Sequence, residues 1–321
     1  MNKRHVEQQR ENGIDVSIII VNWNAKDLLR ECLNSVYQTA SDLRFEVIVV
    51  DNASSDGSVS MLEREFSAVI KIVNKENEGF GAANNRALAI MKGKYALLLN
   101  TDTVLTPQAL NKLWNFCEAT PQAAIVGGQL LNADGSKQNS IASFPGLLSL
   151  ATNTSVLEYL FPRFYPSKRY QHTSPFEADS VIGACMMIRK KALDEAGTFD
   201  ERYFFFFEET DLAFTMRIHG WKVYQVPDAF IYHLQGQSIG QSTRSRIEFY
   251  RSRYQFLKKW HNPLYFYSAK CIIFLRLLVN CVSHFLFAAL TLGLNKKARR
   301  KLKIYSELIW WHFKKETLRT K

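Results

Sequence analysis

The sequence is short of several things, and each shortage excludes something. Its five cysteines, Cys32, Cys117, Cys185, Cys271 and Cys281, are widely spaced and none forms a Cys-x-x-Cys pair. Neither a zinc site nor a disulfide framework is therefore indicated. Residues 1–15 are polar and hold no apolar core of the kind a secretory signal needs, so the folded part is expected in the cytoplasm with reduced thiols. No segment has a disordered composition, and 47% apolar residues suffice for a real core. Acid is scarce at one end only: residues 1–240 carry 23 Lys/Arg and 27 Asp/Glu, whereas residues 241–321 carry 18 and 3. The net charge of +11 thus divides into −4 and +15. The tail asks for an acidic partner, either nucleic acid or an anionic membrane surface.

What is present alternates between strand and helix. Val16–Val21, Phe45–Val50, a stretch near Val69–Val73 and Tyr95–Leu99 are apolar runs of strand length. A helix between the first two carries Leu28, Leu29, Cys32, Leu33 and Val36 on one face. Another follows Asn77–Asn85 and runs to about Met91. Short connections and this alternation predict an α/β fold with a doubly wound, mostly parallel sheet. Open sheets of this kind bind ligands beyond the carboxyl ends of their strands. Three strand ends present polar groups there: Asn22-Trp23-Asn24, Asp51 within a turn rich in oxygen ligands, and Asn100-Thr101-Asp102. A carboxylate at such a rim suits Mg²⁺, although Asn and Asp also favour turns on their own account. Gly79-Phe80-Gly81 is not a dinucleotide fingerprint, because Asn84 stands where a third glycine is needed and the stretch follows the third strand.

Further along, Thr106-Pro107 reads as a helix start, Ala123–Gly128 as a strand, Ala133–Ser136 as a hairpin turn and Val181–Ile188 as a strand. Residues 140–178 show no period, hold four of the eight prolines, and read as a substrate-facing lid. Tyr203–Phe207 is an aromatic wall running into Glu208, Glu209 and Asp211, with Leu212, Met216 and Ile218 continuing at helical spacing. Acids at a helix N-terminus complement its dipole, and equally supply a general base whose pKa the neighbours tune. His233 closes an apolar run and reads either as a packed core residue or as a ligand.

Taken in order, Val16–Asn24, Val49–Ser58, Asn77–Asn85, Leu97–Asp102, Gly183–Arg189, Gly197–Glu201, Phe207–Leu212 and His233–Ser238 resemble family-2 glycosyltransferases of the GT-A fold, in the bacterial rhamnosyltransferase-like branch. The resemblance implies a GT-A domain over residues 1–240, with 241–321 as a separate helical region. It implies that Asp51 bonds the nucleotide base beside backbone from Val21, Asn22, Trp23 and Asn24. Asn77, Gly81 and Asn85 would line the nucleotide pocket. Asn100 and Asp102 match the Asp-x-Asp metal motif with Asn in the first place, and His233 matches a position that ligates the metal in some relatives. The ion would be Mg²⁺ or Mn²⁺ and the donor a nucleoside-diphosphate sugar. The family's base position falls on Glu209, with Asp211 the other candidate and Glu208 beside them, and one base implies inversion at the sugar.

The tail fits the same picture. Arg244, Arg246, Arg251, Arg253, Lys258 and Lys259 mark a basic helix. Cys271–Leu294 is apolar but includes Arg276, Asn280 and His284, which argues for a membrane-embedded hairpin or interfacial helices rather than a clean span. The cluster Lys296–Lys303 and Trp310-Trp311 suit anionic head groups and the interface. A glycolipid, lipopolysaccharide or polyprenyl-diphosphate-linked acceptor at the cytoplasmic face of the plasma membrane follows, with no nucleic acid as partner. Two other readings stay open at this point. One is a nucleotidyltransferase making an activated sugar. The other is a non-enzymatic nucleic-acid-binding protein using the tail.

Overall fold

The structure is a computed structural model that describes residues 13–39, 42–152, 154–162, 172–234, 243–292 and 294–314. In chain order the elements are β1 (Val16–Asn22), α1 (Lys26–Thr39), β2 (Phe45–Asp51), α2 (Ser58–Glu65), β3 (Ile70–Val73), α3 (Phe80–Leu88), β4 (Tyr95–Asn100) and β5 (Thr103–Leu105). Then come α4 (Ala109–Ala119), β6 (Ala123–Leu131), β7 (Ile141–Ala142), α5 (Leu147–Ala151), α6 (Thr154–Leu160), β8 (Phe176–Glu177), β9 (Ser180–Val181) and β10 (Cys185–Arg189). The chain continues through α7 (Lys190–Ala196), α8 (Glu208–Ile218), β11 (Lys222–His233), α9 (Thr243–Trp260), α10 (Pro263–Leu290) and α11 (Lys296–Phe313). These elements divide between two compact units. One holds residues 13–144, 172–201 and 208–234, and the other holds 145–162, 202–207 and 243–314.

The first unit is built on a mixed sheet in the order β3-β2-β1-β4-β10-β6-β11-β5, with β8 pairing on β11. From β3 to β4 all pairing is parallel. β10 then runs antiparallel to both β4 and β6, and β5 runs antiparallel to β11. The chain winds outward from β1 to β3 and returns to place β4 on the other side of β1, so the switch point lies between β1 and β4. Side chains alternate between the two faces, as the strand period demands. Ile18, Ile20, Leu97 and Leu99 pack with Leu29, Leu33, Leu110 and Leu113 of α1 and α4 on one face. Ile19, Ile48, Val50 and Leu98 pack with Ala83, Ala87, Leu212 and Met216 of α3 and α8 on the other.

Two sequence expectations are corrected locally. The helix at Thr106-Pro107 begins at Ala109, because Gln108 takes left-handed backbone (φ 65°) and the Ala109 N–H turns back to the Thr106 carbonyl at 3.1 Å. The single strand over Val181–Ile188 is two: β9 pairs with β7, and β10 lies in the main sheet. Between them, the Ile182 N–H donates to the Ser140 carbonyl and the Ala184 carbonyl accepts from the Asn100 N–H, both at 3.0 Å.

The second unit is helical. Leu150 from α5, Tyr254 and Leu257 from α9, Ala269, Ile273 and Leu277 from α10, and Ile304, Leu308 and Trp311 from α11 form its core. Pro263 opens α10 behind the Asn262 cap, whose side chain accepts from the Tyr265 N–H at 2.9 Å. Asn295 caps α11 in the same way through the Ala298 N–H. Phe206 and Phe207 pack their rings on Phe249, and Ser252 donates to the Phe205 carbonyl at 2.9 Å. The aromatic stretch is thus held on α9.

Candidate active site

Register assembles the rim. Parallel pairing sets Asn22 opposite Asp51 and Val21 opposite Asn100. Asp51 is buried; its Oδ2 accepts from Asn22 Nδ2 and its Oδ1 from the Ser54 N–H, both at 2.8 Å. A carboxylate has about four lone-pair sites, so acceptor capacity remains for a ligand. Ser54 also accepts from the Asn24 N–H at 2.9 Å, and Asn24 accepts from the Ser55 N–H at 2.8 Å. Asn24 and Ala53 both adopt left-handed backbone, φ 49° and 61°. The loops after β1 and β2 are therefore stitched into one floor, with Trp23 half-exposed above it.

Asn77, Gly81 and Asn85 lie where α3 begins. The Asn77 oxygen accepts from the Gly79 N–H at 3.0 Å and from Asn52 Nδ2 at 3.3 Å. The Asn85 amide is engaged at both ends by the Phe199 backbone, donating at 2.9 Å and accepting at 3.0 Å. A Cβ on Gly81 would stand 3.2 Å from Phe199 Cβ, so glycine there lets α3 approach that segment.

At the next strand end the chain turns sharply. Asp102 is 2% exposed, and its backbone carbonyl accepts from the Leu234 N–H at 2.8 Å. Thr103 pairs with His233 across β5 and β11, which brings His233 Nε2 to 3.5 Å from Asp102 Oδ1. The other imidazole nitrogen, Nδ1, meets Gln138 Oε1 at 3.0 Å. Gln138 cannot rotate freely, because its Nε2 donates to the His233 carbonyl at 2.5 Å and to Asn132 Oδ1 at 2.9 Å. With an acceptor fixed at Nδ1, that nitrogen carries a proton, which leaves Nε2, facing the carboxylate, as the ring atom that could offer a lone pair to a metal. Two Lewis bases facing each other, with the far imidazole N–H held by a buried amide, form a donor set that fits a hard or borderline divalent cation. No group of three or more His, Cys, Asp or Glu side chains clusters in metal-binding fashion among the described residues. Of the predicted rim, Gln235 to Ser238 lie outside the described residues.

The acidic centre sits at the head of α8. Glu208 and Asp211 are buried and Glu209 is half-buried. Burial pushes the Glu209 carboxyl up to about 7, against the pull of the Glu209 and Thr210 backbone N–H groups. Burial and then the charge of Glu209 raise Glu208 as well, and Glu208 Oε2 has no hydrogen-bond partner among the described residues. Phe206 and Phe207, immediately before α8, both take left-handed backbone at φ 68° and 69°, a conformation that costs a bulky residue roughly 1–2 kcal/mol. A Cβ on Gly183 would lie 3.7 Å from Glu209 Cβ, while the adjoining Ala184 carbonyl accepts from Asn100. The three-residue link 182–184 therefore touches the rim on one side and Glu209 on the other.

Sequence reasoning missed Gln138, Ser54 and the part played by Gly183. Gln138 is 95 positions from His233, and no local pattern announces such a pairing. Ser54 was visible only as one oxygen among many in a turn.

A family model described as "Glycosyl transferase family 2" matches residues 17–197. Over 303 residues the chain is 26% identical to the N-acetylglucosaminyl-diphospho-decaprenol L-rhamnosyltransferase of Mycobacterium tuberculosis, covering 89% of this chain and 96% of that one. Among solved structures, it is similar to a mannosyltransferase of Pyrobaculum calidifontis in complex with GDP-Man and Mn²⁺, with TM-score 0.56, 16% identity, and coverage of 97% and 94%. It is also similar to GalNAc-T7 with UDP, GalNAc and Mn²⁺, with TM-score 0.59 and 14% identity, over 94% of this chain and 57% of that one. These two likenesses bear on the fold, and they place the mixed, mostly parallel sheet as GT-A. The family match spans more than half of the sequence and takes in the floor, the Asn100–Asp102 turn and the 182–184 link, so the chain belongs to glycosyl transferase family 2 and is a glycosyltransferase.

Proposed function

We propose that the chain transfers a sugar, rhamnose by analogy with its relative, from a nucleoside diphosphate to a lipid-linked acceptor, with inversion at the anomeric carbon. The acceptor is a polyprenyl-diphosphate-linked sugar or a lipopolysaccharide core, met at the cytoplasmic face of the membrane. Asp51 takes the nucleotide base through its remaining acceptor sites, beside backbone from Val21 to Asn24. Asn77, Gly81 and Asn85 serve as pocket wall, since their amides and their close packing are already engaged. Asp102 and His233 hold Mg²⁺ or Mn²⁺, with Asn100 alongside. Such a cation, when bound, neutralises charge on the departing diphosphate.

Glu209 accepts the proton of the attacking hydroxyl, and its elevated pKa matches that work near neutral pH. One base and a single displacement on the face opposite the leaving group give inversion, whereas retention by hydrolytic enzymes needs a second carboxylate as nucleophile. Glu208 and Asp211 orient the head of α8. The observation that supports this reading is the link 182–184, where Gly183 lies beside Glu209 and the Ala184 carbonyl accepts from the Asn100 N–H.

The test is a thermal-shift and hydrolysis screen of nucleotide sugars with and without Mn²⁺. A donor that stabilises the protein only with the divalent ion, and releases nucleoside diphosphate, supports the reading. Stabilisation that ignores the ion, or release of pyrophosphate, opposes it.

A further inference from the structure

One helix among the described residues, α10, is long and apolar enough to cross a membrane by length and composition. Its packing argues for another use. Ala269, Ile273 and Leu277 face the core of the helical unit, and Arg276 donates to the Leu150 carbonyl at 3.0 Å. The helix is thus bound along one side to protein. α11 folds back along it: Phe274 meets Phe313 ring to ring at 5.5 Å, and His284 meets Tyr305 at 5.3 Å. That antiparallel register lays Lys296–Lys303, six cations in eight residues and all exposed, beside the last turns of α10. A spanning α10 would carry those cations into hydrocarbon, where each costs several kcal/mol.

The same end of the pair is apolar on its outside. Leu290, Leu292 and Leu294 are 83%, 87% and 82% exposed, and Leu286 is also exposed. Between Arg276 and Lys296 there is no Lys, Arg, Asp or Glu. The 14 residues of α10 in that interval are about 21 Å long, short of the roughly 30 Å of a bilayer's hydrocarbon. An uncharged apolar end flanked at the same level by a dense row of cations matches the boundary between acyl chains and anionic head groups.

We infer that the closed end of the α10–α11 pair is an interfacial anchor for anionic bilayers: Leu286, Leu290, Leu292 and Leu294 enter the outer acyl region while the Lys296–Lys303 cations stay at phosphate level. This rests on the reading of a membrane-borne acceptor and specifies how the protein reaches it. The polypeptide enters one leaflet only. The opposite end of α10, near Tyr267, stays out of the lipid.

The test uses the full chain with Cys271 and Cys281 replaced by Ser; the remaining thiols are buried, which pushes them up to about 12 and leaves them unreactive. An environment-sensitive fluorophore is placed on Leu290→Cys, Leu292→Cys or Tyr267→Cys. Vesicles of phosphatidylcholine with or without phosphatidylglycerol are then added, carrying quenchers at the head group or at the bilayer centre. The expected result is a several-fold emission gain at 290 and 292 with anionic vesicles only, quenched best from the head-group side, and no change at 267. Replacing Lys296, Lys297, Arg299 and Arg300 by Gln should weaken vesicle binding about fivefold for each charge removed. Leu290→Asp should weaken it about tenfold or more at unchanged helix content and unchanged donor hydrolysis in solution.

Quenching best from the bilayer centre, or equal response at 267, would mean a span or a flat-lying helix and overturn the anchor. Emission that rises with protein concentration in the absence of vesicles would assign the patch to a second copy of the chain. A response to duplex nucleic acid and not to vesicles would assign it there. Vesicle binding with silent labels defeats the anchor alone, whereas no vesicle binding at all defeats the membrane reading with it.

Discussion

Replacing Glu209 by Gln keeps the side chain's shape and one carbonyl oxygen but removes the ability to take a proton at neutral pH. Single-turnover transfer at saturating donor should fall about 10²–10⁴-fold while donor affinity holds, because the proposed donor contacts at Asp51 and Asp102 are left untouched. Asp211→Asn should cost less and Glu208→Gln an intermediate amount. A dead Asp211→Asn beside an active Glu209→Gln would move the base by two residues. The wild-type rate should climb with pH through about 7 as the raised carboxyl ionises. The same shift has a stability consequence of opposite sign. The folded protein holds this proton more tightly than the unfolded chain, so the contribution of Glu209 to stability is greatest below about 4.5 and is lost as pH rises through about 7. Glu209→Gln should flatten that decline in thermal melts taken from pH 5 to pH 8. Gln138 offers a second residue-scale check. Gln138→Leu should release His233 and weaken Mn²⁺ binding about 10–100-fold, read by electron paramagnetic resonance of the ion in the absence of donor. Unchanged affinity would separate His233 from the ion.

At the scale of elements, β11 shows how His233 is brought to Asp102. Its register against β6 breaks between Val226 and Phe230, with Pro227 in the gap, so the strand bulges and then resumes toward His233. Gly128 admits that bulge. A Cβ there would lie 2.5 Å from the Ala229 carbonyl oxygen and 2.2 Å from Ile231 Cδ1. The backbone oxygen cannot yield as a side-chain tip can. Gly128→Ala should therefore lower Tm by several degrees and uncouple His233 from Asp102, abolishing Mn²⁺-dependent stabilisation; a Tm within a degree of wild type would show that the bulge gives way easily. Elements of this kind mark the limit of legibility. The strands β1, β2 and β4 and their polar ends could be read directly, since doubly buried strands are plain apolar runs and the residues after them are not. The antiparallel insertion of β10, the splitting at 182–184 and the bulge could not. Each depends on which distant backbone offers a hydrogen bond, and Ser140, Asn100 and Gly128 carry no local sign of that. The site followed the same division. The places of Asp51 and Asp102 at strand ends and of Glu209 at a helix start were legible in the sequence, whereas the contact of Gln138 with His233 spans 95 residues.

For the whole molecule, the charge division near residue 240 does not coincide with the division of packing. The helical unit takes in 145–162 and 202–207 as well as α9–α11, so Leu150 has its apolar partners on Tyr254, Ile273 and Trp311, and Phe207 has its ring partners on Phe249 and Phe256. Cutting the chain after residue 242 strips both segments of their cover. The truncated protein should bind hydrophobic dyes, lose soluble yield and melt with a broadened transition. A sharply melting, monodisperse fragment would show that those segments find other partners. The interleaving also governs events during synthesis. When α5 and the stretch 202–207 leave the ribosome, the helices that will enclose them have yet to be translated. Leu150 waits roughly a hundred residues for Tyr254, which at about 5–20 residues per second is an interval of roughly 5–20 s. For that time the nascent chain carries Leu150 uncovered, joined partway by Phe206 and Phe207, an open invitation to a chaperone that engages chains still on the ribosome.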